Sequence, residues 1–115
     1  MQPRTRALLQ DALSSGQRIQ RILGNHTRAT YIDDEDTQLL IERCFEIIGE
    51  AIRVLDAINA PELARITEYR TIIALRNVIA HQYAVIRPDR IWQIAHDSLP
   101  VTLEEIRAIL QSDPE

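Results

Sequence analysis

The sequence predicts an all-α fold, an antiparallel four-helix bundle with a kinked or broken last helix, on three observations. Apolar residues make up 45% of the chain and recur every three or four positions, the spacing of one helix face. No stretch shows the alternation typical of a strand. Only 3 glycines and 5 prolines are present, which excludes a disordered or collagen-like chain. A length of 115 residues indicates one domain, which we expect to span residues 1–115.

The first predicted helix runs from about Arg4 to Leu23 and ends where Gly24 provides a C-terminal stop. Its apolar and small residues recur at helical spacing; they are Leu8, Leu9, Ala12, Gly16, Ile19 and Leu23. The segment that follows, residues 24–33 ("GNHTRATYID"), is predicted to be a loop.

An acidic run, "DDED" at residues 33–36, opens the second predicted helix. Asp33 or Asp34 can serve as the N-cap, because its carboxylate can accept hydrogen bonds from backbone N–H groups of the first turn. The two carboxylates that follow lie in the first turn, where the helix dipole favours negative charge. We therefore interpret the run as helix capping and not as a metal site.

The second helix extends to about Ile58 and ends before Pro61, which cannot continue it. It carries two apolar stripes side by side; Leu40, Cys44, Ile47, Ala51 and Leu55 form one, and Ile41, Phe45, Ile48 and Ile52 form the other. A face this wide exceeds what one neighbouring helix covers. It indicates contact with two helices or with a second subunit.

The remaining helices are marked by caps and prolines. After a short turn, a third helix is predicted over residues 68–83, with Thr67 as its N-cap. A fourth begins near Pro88, a favourable first-turn residue. Pro100 interrupts it, and "TLEE" at residues 102–105 has the pattern of a capping box, so a final helix is expected to restart there.

Charge and cysteine content limit the classes of function. The net charge is −4, which argues against a protein that coats nucleic acid non-specifically. All 13 Lys/Arg positions are arginine, the better bidentate phosphate ligand, although composition bias across the genome is the simpler explanation. Cys44 is the one cysteine and allows neither an internal disulfide nor a thiolate zinc site. With no apolar leader or membrane-spanning run, we expect a cytoplasmic protein with no metal and no cofactor.

The stretch "RNVIAHQY" at residues 76–83 threads an arginine, an asparagine, a histidine and a tyrosine through small and aliphatic residues of a helical segment. At about 100° per residue, Asn77 and His81 lie one turn apart on the same face of the helix. Arg76 lies at the edge of that face, and its long side chain can reach toward His81. Tyr83 falls beside Arg76 on the helical wheel and can reach the same site if the helix frays.

These side chains supply chemistry suited to metal-independent cleavage of RNA. A histidine can remove the 2′-hydroxyl proton near neutral pH, so that this oxygen attacks the adjacent phosphate. An arginine can stabilise the charge that develops on the phosphate oxygens, and an asparagine can orient the histidine or the phosphate. From spacing alone, a structural or C-capping histidine is the more common case, so this chemistry stays a hypothesis.

The same stretch matches the R-x4-H-x-Y signature of HEPN-domain proteins of the HepT type, and the chain resembles that family along nearly its whole length. "LLIERCFEIIGEAIRVL" at residues 39–55 is similar to the family's second helix, including its "IGEA" stretch. "RIWQIAHDSLPVTLEEI" at residues 90–106 resembles its closing region. Relatives often carry a Pro-Trp pair shortly before the motif helix, where this chain has "RITEYR" at residues 65–70. The resemblance therefore does not fix the conformation of that loop.

The resemblance implies an all-α homodimer whose facing motifs line a cleft between subunits. The implied activity is that of a metal-independent endoribonuclease, the toxin of a type VII toxin–antitoxin system, with Arg76 and His81 as the catalytic pair and Asn77 in support. The implied partner is a minimal nucleotidyltransferase antitoxin of the MntA type, which transfers AMP from ATP to Tyr83 and silences the toxin. The resemblance leaves open whether the RNA is transfer or messenger RNA.

Glu50, within the "IGEA" stretch, is flanked by apolar residues and needs a partner, because burying an unpaired charge is costly. We expect Arg76 or Asn77 as that partner, and a supporting role that positions the motif in preference to direct catalysis. Two other functions stay open. One is a non-catalytic dimer that binds a nucleotidyltransferase or a nucleotide, and the other is a structural dimer in which the motif forms an interhelical polar network.

Overall fold

The computed structural model describes residues 1–81 and 86–113, and this part of the chain is helical with no strand. Its elements in chain order are α1 (Pro3–Leu23), α2 (Arg28–Ile32), α3 (Glu35–Ala57), a 3-10 helix (Pro61–Arg65), α4 (Tyr69–His81), α5 (Pro88–Asp97) and α6 (Leu99–Ser112). The predicted all-α bundle is confirmed, and so is the broken last helix, since α5 and α6 are separate helices that meet at Ser98. None of these helices has the length and apolarity needed to cross a membrane.

The acidic run at the start of α3 caps the helix, as predicted. The Asp34 carboxylate accepts hydrogen bonds from the Thr37 backbone N–H at 3.0 Å and from the Thr37 hydroxyl at 2.8 Å. These hydrogen bonds, chiefly the one from the backbone, hold the pKa of Asp34 below its usual value. Within residues 1–81 and 86–113, no group of three or more His, Cys, Asp or Glu side chains could hold a metal ion.

The segment between α1 and α3, predicted to be a loop, contains the short helix α2. The Thr30 backbone N–H donates to Thr27 Oγ1 at 3.2 Å, and the Thr27 N–H donates to Thr30 Oγ1 at 2.9 Å. This reciprocal pair is a capping box built from two threonines. α2 then buries Tyr31 against Trp92 of α5, with ring centroids 5.6 Å apart. A helix of 5 residues is too short to show a periodic pattern, so the prediction missed it.

The prediction of Thr67 as an N-cap is wrong. Glu68 has a φ of 54°, a left-handed conformation that turns the chain before α4 begins at Tyr69. Thr67 binds α6 instead, because its backbone N–H and its hydroxyl both donate to the Glu105 carboxylate, at 3.0 Å and 2.6 Å. The predicted end of this helix, at residues 82–83, lies outside the described residues.

The capping box predicted at residues 102–105 is absent, because α6 begins about one turn earlier, with Ser98 and not Thr102 as its N-cap. Pro100 lies in the first turn of α6, where its missing N–H costs no helical hydrogen bond. Thr102 is buried, and its hydroxyl donates to the Ser98 carbonyl oxygen at 3.4 Å. The proline therefore helps to start α6 and does not interrupt a longer helix.

α3 is the central helix of the bundle. It packs against both α1 and α4, so contact with two helices, one of the two explanations for its wide apolar face, is confirmed. Leu40 departs from the predicted stripe, since 53% of its surface is exposed. α6 packs against α1, and α5 contacts α6 and α2. The large side chains that are fully buried, each worth about 1.5–3 kcal/mol of stability, include Leu9, Ile19, Ile41, Ile48, Ile52, Leu55, Ile91, Leu103 and Ile106.

α4 differs from the other long helices in having no buried residue. It packs mainly against α3, and its larger apolar side chains are only partly buried; they are Ile72, Ile73, Leu75 and Ile79. Val78 is 41% exposed. The motif predicted to be functional therefore lies on a helix whose outer side is left open by the described part of the chain.

Candidate functional site

α4 places Arg76 on the side that faces α3. Ile72, Arg76 and Ile79 follow one another at intervals of four and three residues, so they share one face of the helix. The two isoleucines pack against the core, and Arg76 lies between them with 25% of its side chain exposed. The side chain of Arg76 is therefore largely held by packing, including the buried Nε of its guanidinium, while part of it is left open to solvent.

Gly49 of α3 allows α4 to approach closely at this point. A Cβ atom at position 49 would collide with the Arg76 Cβ, and it would lie 2.8 Å from the Arg76 Cγ and 3.2 Å from the Ile72 carbonyl oxygen. No larger side chain fits here unless α4 moves. This glycine of the "IGEA" stretch thus sets the distance between the motif helix and the helix that carries Glu50.

Glu50 lies between two guanidinium groups. Arg53, one turn further along α3, donates from Nε to Glu50 Oε1 at 2.9 Å and from Nη2 to Oε2 at 2.7 Å, which makes a bidentate pair. The Nε of Arg76 lies 3.2 Å from Glu50 Oε1 across the contact between the helices. Of the two partners expected for Glu50, the structure brings Arg76 into contact, and it adds Arg53, which the sequence did not indicate.

The contact between Arg76 and Glu50 is an ion pair without a well-aligned hydrogen bond. Arg76 Nε is buried, and none of the described residues provides an acceptor in line with it. Nη1 of the same guanidinium donates to Asn77 Oδ1 at 3.0 Å. Asn77 and Glu50 therefore orient the guanidinium from two sides, through different nitrogen atoms.

Glu50 stays ionised at neutral pH. The hydrogen bonds from Arg53 are the main cause of its lowered pKa; burial is the next effect and raises the pKa, and the charges of Arg53 and Arg76 lower it further. One carboxylate and two guanidinium groups together carry a net charge of +1. The group formed by Glu50, Arg53 and Arg76 therefore stays positively charged, although Glu50 contacts both arginines.

His81 is the last residue of α4 and is exposed. It lies about 140° round the helix from Arg76, and Asn77 lies about 100° round, at about 100° per residue. The three side chains thus span an arc that runs from the α3 contact to solvent. Tyr83 falls within residues 82–85, outside the described residues, so the structure brings together Arg76, Asn77 and Glu50, with His81 further along the arc.

Arg76 and Glu50 border a small depression of about 220 Å³, which is lined by Leu8, Asp11, Arg43, Glu46, Ile47, Glu50, Ala51, Val54 and Arg76. Pockets that enclose small molecules are usually about 300–1,000 Å³, so this depression suits contact with one group of a larger ligand. A roomier cleft of about 510 Å³ between α4, α5 and α6 contains neither Arg76 nor His81. We therefore centre the candidate site on the arc of α4.

Two residues that contact Glu50 or Arg76 in the structure, Arg53 and Gly49, are missing from the site predicted from the sequence. The spacing of Glu50 and Arg53 is a signal for an ion pair on one helix face, since residues three apart are neighbours. A glycine among large apolar residues in a helix is a signal for close approach of another backbone. Neither signal says which helix approaches, so neither leads to Arg76 without the structure.

The comparisons with known proteins agree on one family. The chain matches the family model described as "Ribonuclease HepT-like" over residues 12–109. It is also 30% identical over 109 residues to a protein of Methanocaldococcus jannaschii named "Putative RNase MJ0127", a match that covers 92% of this chain and 87% of that protein. No solved structure gives a significant match. Both names indicate a ribonuclease.

The family match includes the whole of α3 and α4, and with them Glu50 and the motif at residues 76–83. The resemblance inferred from the R-x4-H-x-Y signature and from the similar helices is therefore confirmed. This chain belongs to the HepT-like ribonuclease family.

Proposed function

We propose that this chain is a metal-independent endoribonuclease and the toxin of a type VII toxin–antitoxin system of the HepT–MntA type, acting in the cytoplasm. Membership of the HepT-like ribonuclease family supports an activity on RNA. The observation that carries the proposal is the arrangement on α4, where Arg76, Asn77 and His81 lie along one arc and Arg76 is anchored by Glu50.

In the proposed reaction the His81 imidazole removes the proton from a ribose 2′-hydroxyl, and the 2′ oxygen attacks the adjacent phosphorus. A new O–P bond forms while the bond from phosphorus to the 5′ oxygen of the next nucleotide breaks. The products are a 2′,3′-cyclic phosphate and a 5′-hydroxyl, whose proton comes from an imidazolium. Arg76 stabilises the charge on the phosphorane oxygens, a role whose loss typically costs about 10²–10³ in kcat.

The proposed active form is a homodimer in which two α4 helices face each other across a cleft. No residue of α4 is buried, and the apolar side chains of Leu39, Leu40 and Val78 are 66%, 53% and 41% exposed. A second copy would cover apolar surface of this kind, and a twofold axis would use the same patch on both subunits. The dimer would also bring two arginines and two histidines to one phosphodiester.

The proposed partner is a minimal nucleotidyltransferase of the MntA type. It would transfer AMP from ATP to the Tyr83 hydroxyl, forming a phosphodiester there and releasing pyrophosphate. Tyr83 follows His81 by two positions, so the adduct would place an anionic group next to the site. That group could pair with Arg76 and exclude the RNA phosphate, as phosphorylation does beside other arginines.

Growth and RNA integrity test the nuclease. Expression of the chain without its partner is expected to arrest growth and to fragment RNA, and His81→Ala should abolish both effects. The control is His96→Ala, which removes an exposed histidine of α5 whose Nδ1 lies 2.8 Å from the Trp92 carbonyl oxygen; this variant should stay toxic. Normal growth with intact RNA on expression of the unaltered chain would contradict the proposal.

Intact mass tests the modification. Co-expression with the nucleotidyltransferase is expected to increase the mass of the chain by whole AMP units and to restore growth. Tyr83→Phe should prevent both, because the acceptor hydroxyl is gone, whereas Tyr69→Phe should leave both unchanged. A mass gain that persists in Tyr83→Phe would place the modification elsewhere.

A second candidate is a non-catalytic helical dimer that binds a nucleotidyltransferase or a nucleotide. The hold that Glu50 and Asn77 have on Arg76 favours it, because a guanidinium fixed from two sides suits phosphate binding as well as catalysis. Binding of ATP or of the partner that survives His81→Ala, with no RNA cleavage by the unaltered chain, would select this function.

A further inference from the structure

We propose that Arg53 is a positioning residue for Arg76. Arg53 pairs with both oxygens of the Glu50 carboxylate, so that Glu50 contacts Arg76 at Nε alone. The rest of the Arg76 guanidinium then stays available to an RNA phosphate. This inference rests on the proposed function, and it concerns a residue of α3 that lies outside the motif of α4.

The geometry shows which arginine holds the carboxylate. Arg53 makes the bidentate pair with Glu50, through contacts of 2.9 Å and 2.7 Å. Arg76 has only the 3.2 Å contact from Nε, and that nitrogen lacks an aligned hydrogen bond. A parallel fork between guanidinium and carboxylate is the strongest pairing of these groups. Arg53 therefore takes the bidentate position on Glu50, which Arg76 could otherwise occupy.

Removal of Arg53 would change the hydrogen-bond partner of the Glu50 carboxylate. The carboxylate would lose its bidentate partner, and Arg76 would be the cation already in contact with it. Glu50 would then turn toward Arg76 and form the fork with it, using the donors that a phosphate needs. The charge of the cluster would also fall from +1 to zero, although exposure of Glu50 and Arg53 keeps that Coulomb effect small and sensitive to salt.

The chain contains a matched control for an ordinary surface ion pair. Glu104 and Arg107 of α6 have the same order and spacing as Glu50 and Arg53, with Arg107 Nη1 2.8 Å from Glu104 Oε2. No arginine of α4 is paired with Glu104 among the described residues. Arg107→Ala therefore removes a pair of the same kind that has no link to Arg76.

The first experiment measures cleavage of a short RNA by the full-length chain. Arg53→Ala is expected to raise the KM for RNA about tenfold, the scale of one hydrogen bond to a charged group, with an unchanged melting temperature. In the E50Q background the same substitution should have no effect, because the amide does not compete for Arg76. An effect of Arg53→Ala equal to that of Arg107→Ala, or one that persists in the E50Q background, would overturn the proposal.

The second experiment separates this inference from the nuclease itself. The NMR resonance of the Arg76 Nε–H, assigned by its absence in Arg76→Lys, is expected to move downfield in Arg53→Ala as Glu50 forms the fork. An unmoved resonance would overturn the role of Arg53 whether or not RNA is cut. Absence of cleavage by the unaltered chain, together with a moved resonance, would reject the nuclease and retain the positioning.

Discussion

Gly49 on α3 lies directly against the Cβ of Arg76 on α4, with no room for a side chain between them. This contact fixes how closely the two helices approach. It also fixes where the Arg76 guanidinium meets Glu50, because Glu50 is the residue that follows Gly49. A change at Gly49 can therefore reach the candidate site without altering any residue proposed to act on RNA.

Gly49→Ala is expected to lower the free energy of unfolding by about 1–3 kcal/mol, the usual cost of overpacking. The added methyl group meets a Cβ atom and a backbone carbonyl, neither of which can rotate away. RNA cleavage should fall as well, because α4 must shift. Urea denaturation and a cleavage assay measure the two effects. Gly24→Ala, at the exposed end of α1, is the control, with a change within about 0.5 kcal/mol; equal stability of the two variants would contradict the tight contact.

Arg76→Ala and His81→Ala are each expected to lower the rate of RNA cleavage by at least about 10²-fold, while Arg76→Ala loses only the packing of its side-chain stem and His81→Ala loses little stability. Glu50 keeps its bidentate partner Arg53 when Arg76 is removed, so no carboxylate is left unpaired. His81 is exposed, and surface substitutions usually change stability by less than about 0.5 kcal/mol. Thermal melts beside the cleavage assay provide the check. A large loss of stability in Arg76→Ala would support a structural polar network instead.

Asp34→Ala is expected to destabilise the fold at neutral pH and to have a smaller effect in acid. The fold lowers the pKa of Asp34, so its stabilising contribution is complete above the unfolded pKa of about 3.9. That contribution is lost as the pH falls through the lower pKa of the folded state. Urea denaturation over this pH range measures the change, with Asp33→Ala as the control. An effect of Asp34→Ala that is the same at every pH would show that ionisation is not involved.

Tyr31→Phe is expected to leave the stability unchanged or to raise it. The Tyr31 hydroxyl is buried and has no hydrogen-bond partner among the described residues, and burial, followed by the charge of Glu42, raises its pKa. A buried donor without a partner costs about 1–3 kcal/mol, which phenylalanine avoids while it keeps the contact with Trp92. The midpoint of urea denaturation measures the effect. A lower midpoint would show that the hydroxyl does find a partner.

The helix ends that the sequence predicted correctly are those whose caps act locally. Asp34 and Thr37 are three residues apart, so the whole interaction is present in one short segment. The Thr67 cap was wrong because the partner of Thr67 is Glu105, 38 residues away. No local pattern can show that a side chain will prefer a distant carboxylate to the helix beside it.

The candidate site, like the helix ends, has a part that follows from local sequence and a part that depends on distant contacts. Arg76, Asn77 and His81 follow from spacing within one helix, and the need of Glu50 for a partner follows from its apolar neighbours. The contact of Gly49 with Arg76 depends on where α3 and α4 cross, which is set by the packing of both helices together. Sequence periodicity describes one helix at a time, so it could not supply this contact.

The absence of buried residues on α4 has a consequence for the proposed toxin. A helix packed on one side alone opens more readily than a fully packed one, so in a single copy the groups proposed to act on RNA would be less well held in place. Pairing would stabilise the helix by mass action, to a degree that grows with concentration. With the proposed dimer as the active form of the proposed toxin, damage to the cell would rise more steeply than the amount of protein, roughly as its square while copies are scarce. Such a cell would tolerate a low background of expression and would still be damaged by a large increase in the amount of the protein.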